Sequence, residues 1–563
     1  MVLKKNHLFT LIIALVPLLF FLLLEAGLRL VDYGGDLSLF VPASREYAGG
    51  TYLAINRNVA QRYFPGRNFI PRPAGDVFLK NKPVNGYRVF VLGGSTVAGW
   101  PYPDNVMFSR RLQQQLADAF PARRIEVISL GIAAVNSYTL LDFIDEVLEQ
   151  QADAILIYAG HNEFYGALGA ASTISVGGLS ESGPLIRLYL ALQHSRLFRA
   201  LGDVVNAAKQ VMREPDQTPG GETVQLTLMG QVIGEYDIAQ GSATYNRGLA
   251  RFSDNLRAIL SKARRAGVPV LLSELVSNVR DQPPFFFDGD AADSAAGDAY
   301  REARRFEAAG DIDAAREQYY RAKDLDGLRF RAPEAINRLI HAIAVESGAP
   351  VVPMKSRFEA TSANGLIGDE LMLDHLHPNA VGYRLMARAF FDTMREHGFI
   401  AATWPDTQTV DETEPYTEMD TAIGKLRAMF LKDNWPFRPV RAPDRDAIEY
   451  NPRNKAEAYA KKVAQDTMKY DLAHLELAHY YHQQGDDERA LREYQALINC
   501  DPFKLTTHLA VVTSLVRDKA YQAAQSMLAR AQTIAPNHPA ILRLKATWPG
   551  TQPLTTGMTK SRK

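Results

Sequence analysis

The 563-residue sequence contains one cysteine, Cys500, and no excess of charge of either sign. A single cysteine cannot form an internal disulfide, and this one lacks the companion ligands of a cysteine-based metal site. Lysine plus arginine and aspartate plus glutamate both number 63, so net charge offers no attraction for nucleic acid. The single cysteine therefore excludes a fold stabilised by internal disulfides and a metal site built from cysteines. The balanced charge excludes a nucleic-acid partner attracted by net charge.

The chain is too long for one ordinary core, and we expect two or three domains. Its composition, 47% hydrophobic and 22% charged, is that of a globular protein. We predict, in order, a membrane segment over 1–31, an extended approach segment over 32–84, an α/β domain over 85–400, a linker over 401–454, helical repeats over 455–540 and a tail over 541–563.

The N-terminal segment is an apolar run from Leu8 to Leu24, preceded by Lys4 and Lys5. Two interpretations compete, a cleaved signal peptide and an uncleaved anchor. No small-x-small cleavage site follows the run, which favours a single-pass transmembrane helix that holds the protein at a membrane. The two lysines favour an inside N-terminus, which puts the catalytic domain outside the cytoplasm, in a periplasm or at the cell surface.

Residues 85–400 alternate short apolar strand patterns with helical patterns, which is typical of a three-layer α/β domain with a parallel sheet. Helices are predicted from Phe108 to Phe120 and from Phe252 to Ala266, where apolar residues recur on one face. The predicted strands are Val89–Leu92, Ile125–Leu130, Ala154–Ala159, Val268–Ser273 and Val351–Val352.

Two insertions interrupt this alternation. Residues 166–245 leave the sheet after its third strand and combine a Gly/Ser-rich piece, an amphipathic helix and a polar hairpin-like piece. Because loops at strand carboxyl ends commonly build substrate sites, this insertion is a candidate lid. Residues 290–327 have the pattern of a helical hairpin. Just beyond it, Arg329 and Arg331 could meet an anionic substrate, although solvated helix-end charges are the favoured interpretation.

A candidate nucleophile lies at the end of the first strand, in Gly93-Gly94-Ser95-Thr96. The two glycines let the backbone turn where a Cβ would clash, so Ser95 is presented at the carboxyl edge of the sheet. The same four residues also form ordinary turns. The assignment therefore depends on a base, an orienting carboxylate and oxyanion donors elsewhere in the chain.

The base and its orienter are found in Asp374-His375-Leu376-His377-Pro378-Asn379, directly before a predicted helix. Asp374 and His377 are three residues apart, so one turn brings the carboxylate beside the imidazole. His375 is the rival base, and only one of the two histidines is expected to face Ser95. A metal held by Asp374, His375 and His377 is the less favoured alternative because no fourth ligand is evident.

Oxyanion donors follow two further strands. Gly131 ends the second predicted strand, and its backbone N–H could point into the site. Asn162, in Gly160-His161-Asn162-Glu163 after the third strand, can donate through its amide. With the N–H of Ser95 these give three donors around one developing oxyanion. Taken separately, Gly131 is an ordinary turn glycine and Asn162 an ordinary loop cap.

Together these four blocks resemble those of the SGNH (GDSL-like) hydrolase superfamily, because they occur in the same order along the chain and in the same structural context. The resemblance implies a flavodoxin-like sheet, Ser95 as nucleophile, His377 as base and Asp374 as its orienter. It also implies that Gly131 and Asn162 join the Ser95 amide as oxyanion donors, and it implies neither a metal nor a cofactor.

The match departs from the family at two positions. Ser95 stands in Gly-Gly-Ser-Thr rather than Gly-Asp-Ser, and Glu163 stands where the family usually has aspartate.

We predict an SGNH-type serine esterase that acts on an O-acyl ester, on a cell-envelope glycan or lipid. An O-acyltransferase using the same residues and a non-catalytic repeat scaffold are the alternatives.

The C-terminal region repeats itself every 34 residues, the period of tetratricopeptide repeats. The repeat pairs Gly485 with Lys519, Ala490 with Ala524, Tyr494 with Leu528 and Pro502 with Pro536. Residues 470–540 resemble that repeat family, and 298–327 share its offsets. Such repeats bind a protein partner in a groove, or here they simply cap the enzyme.

Overall fold

The computed structural model describes residues 2–44, 47, 52–65, 70–174, 182–212, 228–285, 294–405, 414–438, 449–535 and 537–546. The strands are β1 (Phe40–Pro42), β2 (Tyr52–Ile55), β3 (Val77–Leu79), β4 (Gly86–Gly93), β5 (Arg124–Gly131), β6 (Ala154–Tyr158), β7 (Val270–Ser273) and β8 (Val351–Val352).

The first helices are α1 (Val2–Leu30), α2 (Phe108–Ala119), α3 (Ser137–Glu149), α4 (Gly183–Gln193), α5 (Arg196–Met212), α6 (Leu228–Val232), α7 (Ala243–Arg265), α8 (Ala295–Ala309), α9 (Ile312–Leu325) and α10 (Glu334–Ser347). They are followed by α11 (Met354–Thr361), α12 (Ala380–Glu396), α13 (Glu418–Lys432), α14 (Lys455–Ala464), α15 (Tyr470–Gln483), α16 (Asp487–Cys500), α17 (Leu505–Arg517), α18 (Tyr521–Ile534) and α19 (Pro539–Ala546).

Strands β4 to β8 form the central sheet, which is parallel throughout and has the order β5-β4-β6-β7-β8. This is the flavodoxin-like order 2-1-3-4-5. The predicted α/β class and all five predicted strands are confirmed. Helices α2 and α12 pack together, and α3, α7 and α10 form a second group, so each face of the sheet is covered.

The register aligns the carboxyl ends of the three strands that carry the candidate site. Gly93 at the end of β4 pairs with Gly131 on β5 and with Tyr158 on β6. The loops after β4, β5 and β6 therefore leave the sheet side by side. Open α/β folds bind their ligands at this edge, beside the point where the order of the strands reverses.

The approach segment contains more structure than its sequence predicts. Strands β1, β2 and β3 pair as a small antiparallel sheet. The buried Arg62 fixes the segment to α3 through Asp142 at 3.0 Å and Glu146 at 2.7 Å. Strands of three or four residues are too short to show an alternating pattern, which is why the sheet was not predicted.

Helix α1 is anchored at its C-terminal end. Glu25 accepts hydrogen bonds from the backbone N–H groups of Arg196 and Leu197, the first residues of α5. Among the described residues, no helix combines the length and the apolar character that crossing a membrane requires. The predicted transmembrane helix is thus not supported.

The insertions form helices of their own. In residues 166–245, α4 packs on α3 and α5 packs on α1. The polar hairpin-like piece falls largely in 213–227, which lies outside the described residues. The second insertion forms the helical hairpin α8–α9.

The C-terminal region is a large all-helical unit with its own apolar core. Helices α15 and α16 pack as one pair and α17 and α18 as the next, and α16 and α18 begin 34 residues apart, at Asp487 and Tyr521. The unit starts at Glu418, inside the predicted linker, because α13 buries its apolar face in the same core. The tail predicted over 541–563 begins inside α19, which continues to Ala546, and residues 547–563 lie outside the described residues.

Helix α13 also joins the two units through a buried polar network. Asp420 accepts a hydrogen bond from Asn105 of the α/β domain at 2.9 Å and lies 3.2 Å from the Nε2 atom of His474. The Nδ1 atom of His474 lies 2.6 Å from Glu493. Burial alone would lower the pKa of His474, but the two carboxylates raise it to about 9. The imidazole is therefore charged at neutral pH and holds Asp420, the residue that makes the contact to Asn105.

Candidate active site

The turn after β4 holds Ser95 at the sheet edge. A Cβ on Gly93 would lie 2.2 Å from the carbonyl oxygen of Tyr158 and 2.3 Å from a methyl group of Val97. Only glycine fits so close a crossing, so the strand can end directly beneath the turn. Ser95 is partly exposed, and its backbone N–H makes no hydrogen bond to the described residues.

The structure brings Ser95, His377 and Asp374 together in one hydrogen-bonded chain. The Ser95 Oγ atom lies 2.7 Å from Nε2 of His377, and Nδ1 of His377 lies 2.7 Å from Oδ2 of Asp374. The ionised Asp374 accepts the proton of Nδ1, which leaves Nε2 free to accept the Ser95 hydroxyl. This is the geometry of an activated nucleophile with an oriented base.

Asp374 is fixed by its own loop. Its Oδ1 atom accepts hydrogen bonds from the backbone N–H groups of Leu376 and His377, each at 2.9 Å. The carboxylate is fully buried, and burial alone would raise its pKa. The neighbouring imidazoles of His377 and His375 outweigh burial and hold the pKa of Asp374 well below its usual range. A permanently charged Asp374 can stabilise an imidazolium at His377.

His375, the rival base, lies away from Ser95. Its ring is surrounded edge-on by Phe285, Phe330 and Phe437, at centroid distances of 5.4, 6.0 and 5.4 Å. Burial lowers the pKa of His375. Its Nδ1 atom is 3.2 Å from Oδ1 of Asp374, which the two backbone N–H groups already occupy. The histidine in contact with Ser95 is His377.

The donor atoms of Asp374, His375 and His377 lie within 4.8 Å of one another, close enough to be considered as metal ligands. Both ring nitrogens of His377 are already engaged, by Asp374 and by Ser95. A metal ion would have to displace one of those hydrogen bonds. The donor set therefore fits a proton relay better than a metal centre.

The two predicted oxyanion residues border the Ser95 turn. A Cβ on Gly131 would lie 2.2 Å from the backbone nitrogen of Ala98, so the turn packs directly on this glycine. The Gly131 N–H lies 3.4 Å from Oγ of Ser129, at the long limit of a hydrogen bond. The Asn162 amide donates to the carbonyl of Val135 at 2.9 Å, which leaves its second proton available.

Glu163 ties the two oxyanion loops together from beneath. Its carboxylate accepts hydrogen bonds from the backbone N–H and the hydroxyl of Ser137, at 2.9 and 2.7 Å. Ser137 begins α3, directly after the loop that follows Gly131. Burial raises the pKa of Glu163 to about 7 despite these hydrogen bonds. The glutamate that departs from the family pattern thus holds the loops of Gly131 and Asn162 in register.

Aromatic residues that the sequence did not single out pack against both histidines of the catalytic loop. The indole of Trp100 lies 4.7 Å from the ring of His377, centroid to centroid. Trp435 and Phe437, which follow α13, reach the rings of Phe330 and His375 at 6.3 and 5.4 Å. Nothing local in the sequence after α13 indicates this position, since it depends on how α13 packs.

Arg329 and Arg331 are neither substrate contacts nor solvated charges in this structure. Both are buried and donate to backbone carbonyls, Arg329 to that of Ile238 at 2.9 Å and Arg331 to that of Gln282 at 2.8 Å. Arg331 also pairs with the buried carboxylate of Asp326 at 3.0 Å. Their hydrogen bonds fix the turn segment between α9 and α10.

A parallel α/β sheet with a serine, a histidine and an aspartate at its carboxyl edge defines a serine-hydrolase type of protein. Residues 91–385 match the model of the GDSL-like lipase/acylhydrolase family. The chain belongs to this family, whose members are hydrolases that act on esters.

One curated relative matches a short part of the chain. An uncharacterized protein of Haemophilus influenzae is 35% identical over 78 residues, which are 14% of this chain and 44% of that protein. The chain thus spans less than half of the length of the relative that it matches.

Among solved structures, the chain is similar to TesA, with 14% identity over 55% of this chain and 98% of that one, at a TM-score of 0.27. A GDSL-like lipase of Bacteroides thetaiotaomicron has 13% identity, 56% and 92% coverage and a TM-score of 0.27. The acetylxylan esterase Axe2 of Geobacillus stearothermophilus has 14% identity, 56% and 96% coverage and the same TM-score. Likenesses this distant carry no information about substrate.

Proposed function

We propose that the protein is a serine ester hydrolase that forms an acyl-enzyme on Ser95. The observation that carries this proposal is the continuous hydrogen-bonded chain from Ser95 through His377 to Asp374, with both contacts at 2.7 Å. A serine hydroxyl is a weak nucleophile unless an adjacent base removes its proton, and this chain supplies that base already oriented.

The reaction follows from the geometry. Ser95 Oγ attacks the ester carbonyl carbon while Nε2 of His377 takes the hydroxyl proton. The charge that develops on the carbonyl oxygen is met by the N–H groups of Ser95 and Gly131 and the amide of Asn162. His377 then gives its proton to the departing alcohol, and the same base activates the water that releases the acid.

Labelling with a fluorophosphonate tests the nucleophile and the base. The wild-type chain should be labelled, and Ser95→Ala should not. His377→Ala should lose labelling and turnover, whereas His375→Ala should retain most of both, because only His377 contacts Ser95. Equal labelling of Ser95→Ala would refute the nucleophile, and the reverse histidine result would exchange the two roles.

Transfer to a second alcohol uses the same acyl-enzyme as hydrolysis and differs only in what attacks it. We propose hydrolysis as the main reaction, with an O-acyl ester on a cell-envelope glycan or lipid as substrate. Product analysis with and without a glycan acceptor separates the two reactions. An acylated glycan as the principal product would identify an O-acyltransferase.

We also propose that α1 holds the protein against a lipid surface. The side chains of residues 18–24 are all apolar and are each 40–64% exposed. A contiguous apolar surface of this kind is unfavourable in water and marks an interaction site. Flotation with phosphatidylglycerol vesicles should carry the full chain, and deletion of residues 1–24 should abolish it.

A third proposal concerns the C-terminal helices, which pack in pairs that begin 34 residues apart and which we propose to be tetratricopeptide-like repeats. We propose that they bind a protein partner. A non-catalytic scaffold would retain that binding without ester hydrolysis, so the labelling experiment above also distinguishes that alternative.

A further inference from the structure

The two loops that meet at the active site come from distant parts of the α/β domain. The nucleophile loop, residues 94–105, follows β4, and the catalytic loop, residues 373–379, lies between α11 and α12. The register of the parallel sheet positions the first loop, but the second does not follow a strand directly. The contact of 2.7 Å between Oγ of Ser95 and Nε2 of His377 therefore depends on contacts outside the sheet as well.

Each loop contains a residue whose backbone is hydrogen-bonded to the catalytic residue of that loop. The N–H of Trp100 donates to the carbonyl oxygen of Ser95 at 3.0 Å, which closes the turn after the nucleophile. The N–H of Leu373 donates to the carbonyl oxygen of His377 at 2.8 Å, which closes the loop of the base. A shift of Trp100 or of Leu373 would therefore move the catalytic residue to which it is bonded.

Helix α13 supplies one cationic side chain to each of these two places. The Nη1 atom of Arg427 donates to the carbonyl oxygen of Pro101 at 3.1 Å, next to Trp100 in the nucleophile loop. The Nζ atom of Lys432 donates to the carbonyl oxygen of Leu373 at 3.2 Å. The two donors lie on one helix, separated by about 7.5 Å along its axis. Helix α13 thus bridges the nucleophile loop and the catalytic loop.

Further contacts fix the same helix to the nucleophile loop. A Cβ on Gly424 would lie 2.2 Å from the ring of Tyr102, so only a glycine allows this close approach. Asp420 accepts a hydrogen bond from Asn105 at 2.9 Å. With its earlier turns held in this way, α13 carries Lys432, its last residue, to the catalytic loop.

We propose that Arg427 and Lys432 are positioning residues, which hold the nucleophile loop and the catalytic loop at the separation that the proton relay requires. They act through backbone carbonyls of the two loops. Both residues lie beyond residue 385, where the family match ends, so a helix outside the matched segment completes this active site. The proposal rests on the proposed ester hydrolysis, because it concerns the geometry of that reaction.

Removal of either donor in the full-length chain tests this role. Arg427→Met and Lys432→Met keep an apolar stem and remove the cationic donor. A misplacement of about 1 Å between reacting groups costs about 10² in rate, and the loss of one of several holding contacts should cost less. We expect each variant to lower kcat for p-nitrophenyl acetate about tenfold, with KM within about twofold of the wild type. Labelling of Ser95 by a fluorophosphonate should slow by a similar factor.

Conservative variants and a matched control separate positioning from a purely structural contact. Arg427→Lys and Lys432→Arg should restore most of the rate, because a single hydrogen bond to a carbonyl needs a donor and not a particular donor geometry. Lys425→Met is the control, since Lys425 lies on the same helix with an exposed side chain, and its kcat should equal that of the wild type. A contact that only fastens the helical unit would lower the melting temperature and leave kcat unchanged.

Three results would overturn the positioning role. They are wild-type kcat in a folded form of either methionine variant, an equal loss in Lys425→Met, and a loss that the conservative variants do not reverse. Lys432 is the last residue of α13, so the helix can form without its side chain. The experiment at this position therefore decides the question even where Arg427→Met does not fold.

Failure of the underlying activity has a different signature. If wild-type Ser95 is not labelled by a fluorophosphonate and p-nitrophenyl acetate is not cleaved, the proposed hydrolysis fails and the positioning role fails with it. If the wild type is labelled and active, and the methionine variants react equally fast, only the positioning role fails.

Discussion

Replacement of Asp374 by asparagine isolates the electrostatic part of the proton relay. The amide oxygen of the new side chain can still accept the N–H groups of Leu376 and His377, as Oδ1 of Asp374 does. Its NH₂ group then faces Nδ1 of His377, which must become an acceptor. The imidazole proton moves to Nε2, so the ring can no longer accept the Ser95 proton.

The expected loss is large. In a buried site with an effective dielectric constant of about 20, a carboxylate 2.7 Å from an imidazolium is worth about 6 kcal/mol. A tautomer-reversing change of this type in a Ser-His-Asp triad lowers kcat about 10⁴-fold, or about 5 kcal/mol. The two estimates agree, and we expect Asp374→Asn to lose about 10⁴ in turnover with little change in KM.

Hydrolysis of p-nitrophenyl acetate, together with the rate of fluorophosphonate labelling, measures this loss. Asp369→Asn is the control, because Asp369 lies in the same loop and accepts a hydrogen bond from Asn278 at 2.7 Å without touching His377. It should stay within about twofold of the wild type. Activity of a folded Asp374→Asn within tenfold of the wild type would refute the relay.

Two further predictions concern the loops beneath the site. Glu163 has a pKa raised to about 7 by burial, so the stability that its neutral carboxyl contributes is present below pH 4.5 and is lost as the pH rises through 7. Urea denaturation of the wild type should lose about 3 kcal/mol relative to Glu163→Gln between pH 4.5 and 8, and parallel pH profiles would contradict this. Gly131→Ala should lower the melting temperature and reduce turnover by about 10², because its Cβ would lie 2.2 Å from the Ala98 nitrogen. If this variant had the melting temperature and the turnover of the wild type, the backbone of the Ser95 turn would have to move to make room for the Cβ, and the prediction would be wrong.

Local patterns in the sequence were sufficient to locate the sheet and the groups that carry chemistry. The run from Val89 to Leu92 is buried on both faces, so every residue in it is apolar and the strand is evident. The same logic applies to the other central strands. Ser95, Asn162 and His377 follow strand ends or precede a helix, where sequence position fixes spatial position through the register of a parallel sheet.

What the sequence did not show depends on contacts between distant segments. The antiparallel sheet of the approach segment is built from strands of three or four residues, too short for a period. Arg329 and Arg331 are charged, so the sequence favours solvent exposure for both. Only the structure shows the backbone carbonyls, from distant segments, that accept their hydrogen bonds. Trp435 and Phe437 lie in a segment without periodicity, and only the packing of α13 brings them to the catalytic loop.

The attachment of the catalytic loop to α13 has a consequence for how the active site can change. Helix α13 buries one face in the C-terminal helical core and ends at Lys432, which holds the catalytic loop. A substitution that shifts this helix would act on the loop that carries Asp374 and His377, because Lys432 is bonded to the carbonyl of Leu373, directly before Asp374. The helical unit contributes no group to the proton relay, yet changes in its packing can reach the relay through α13.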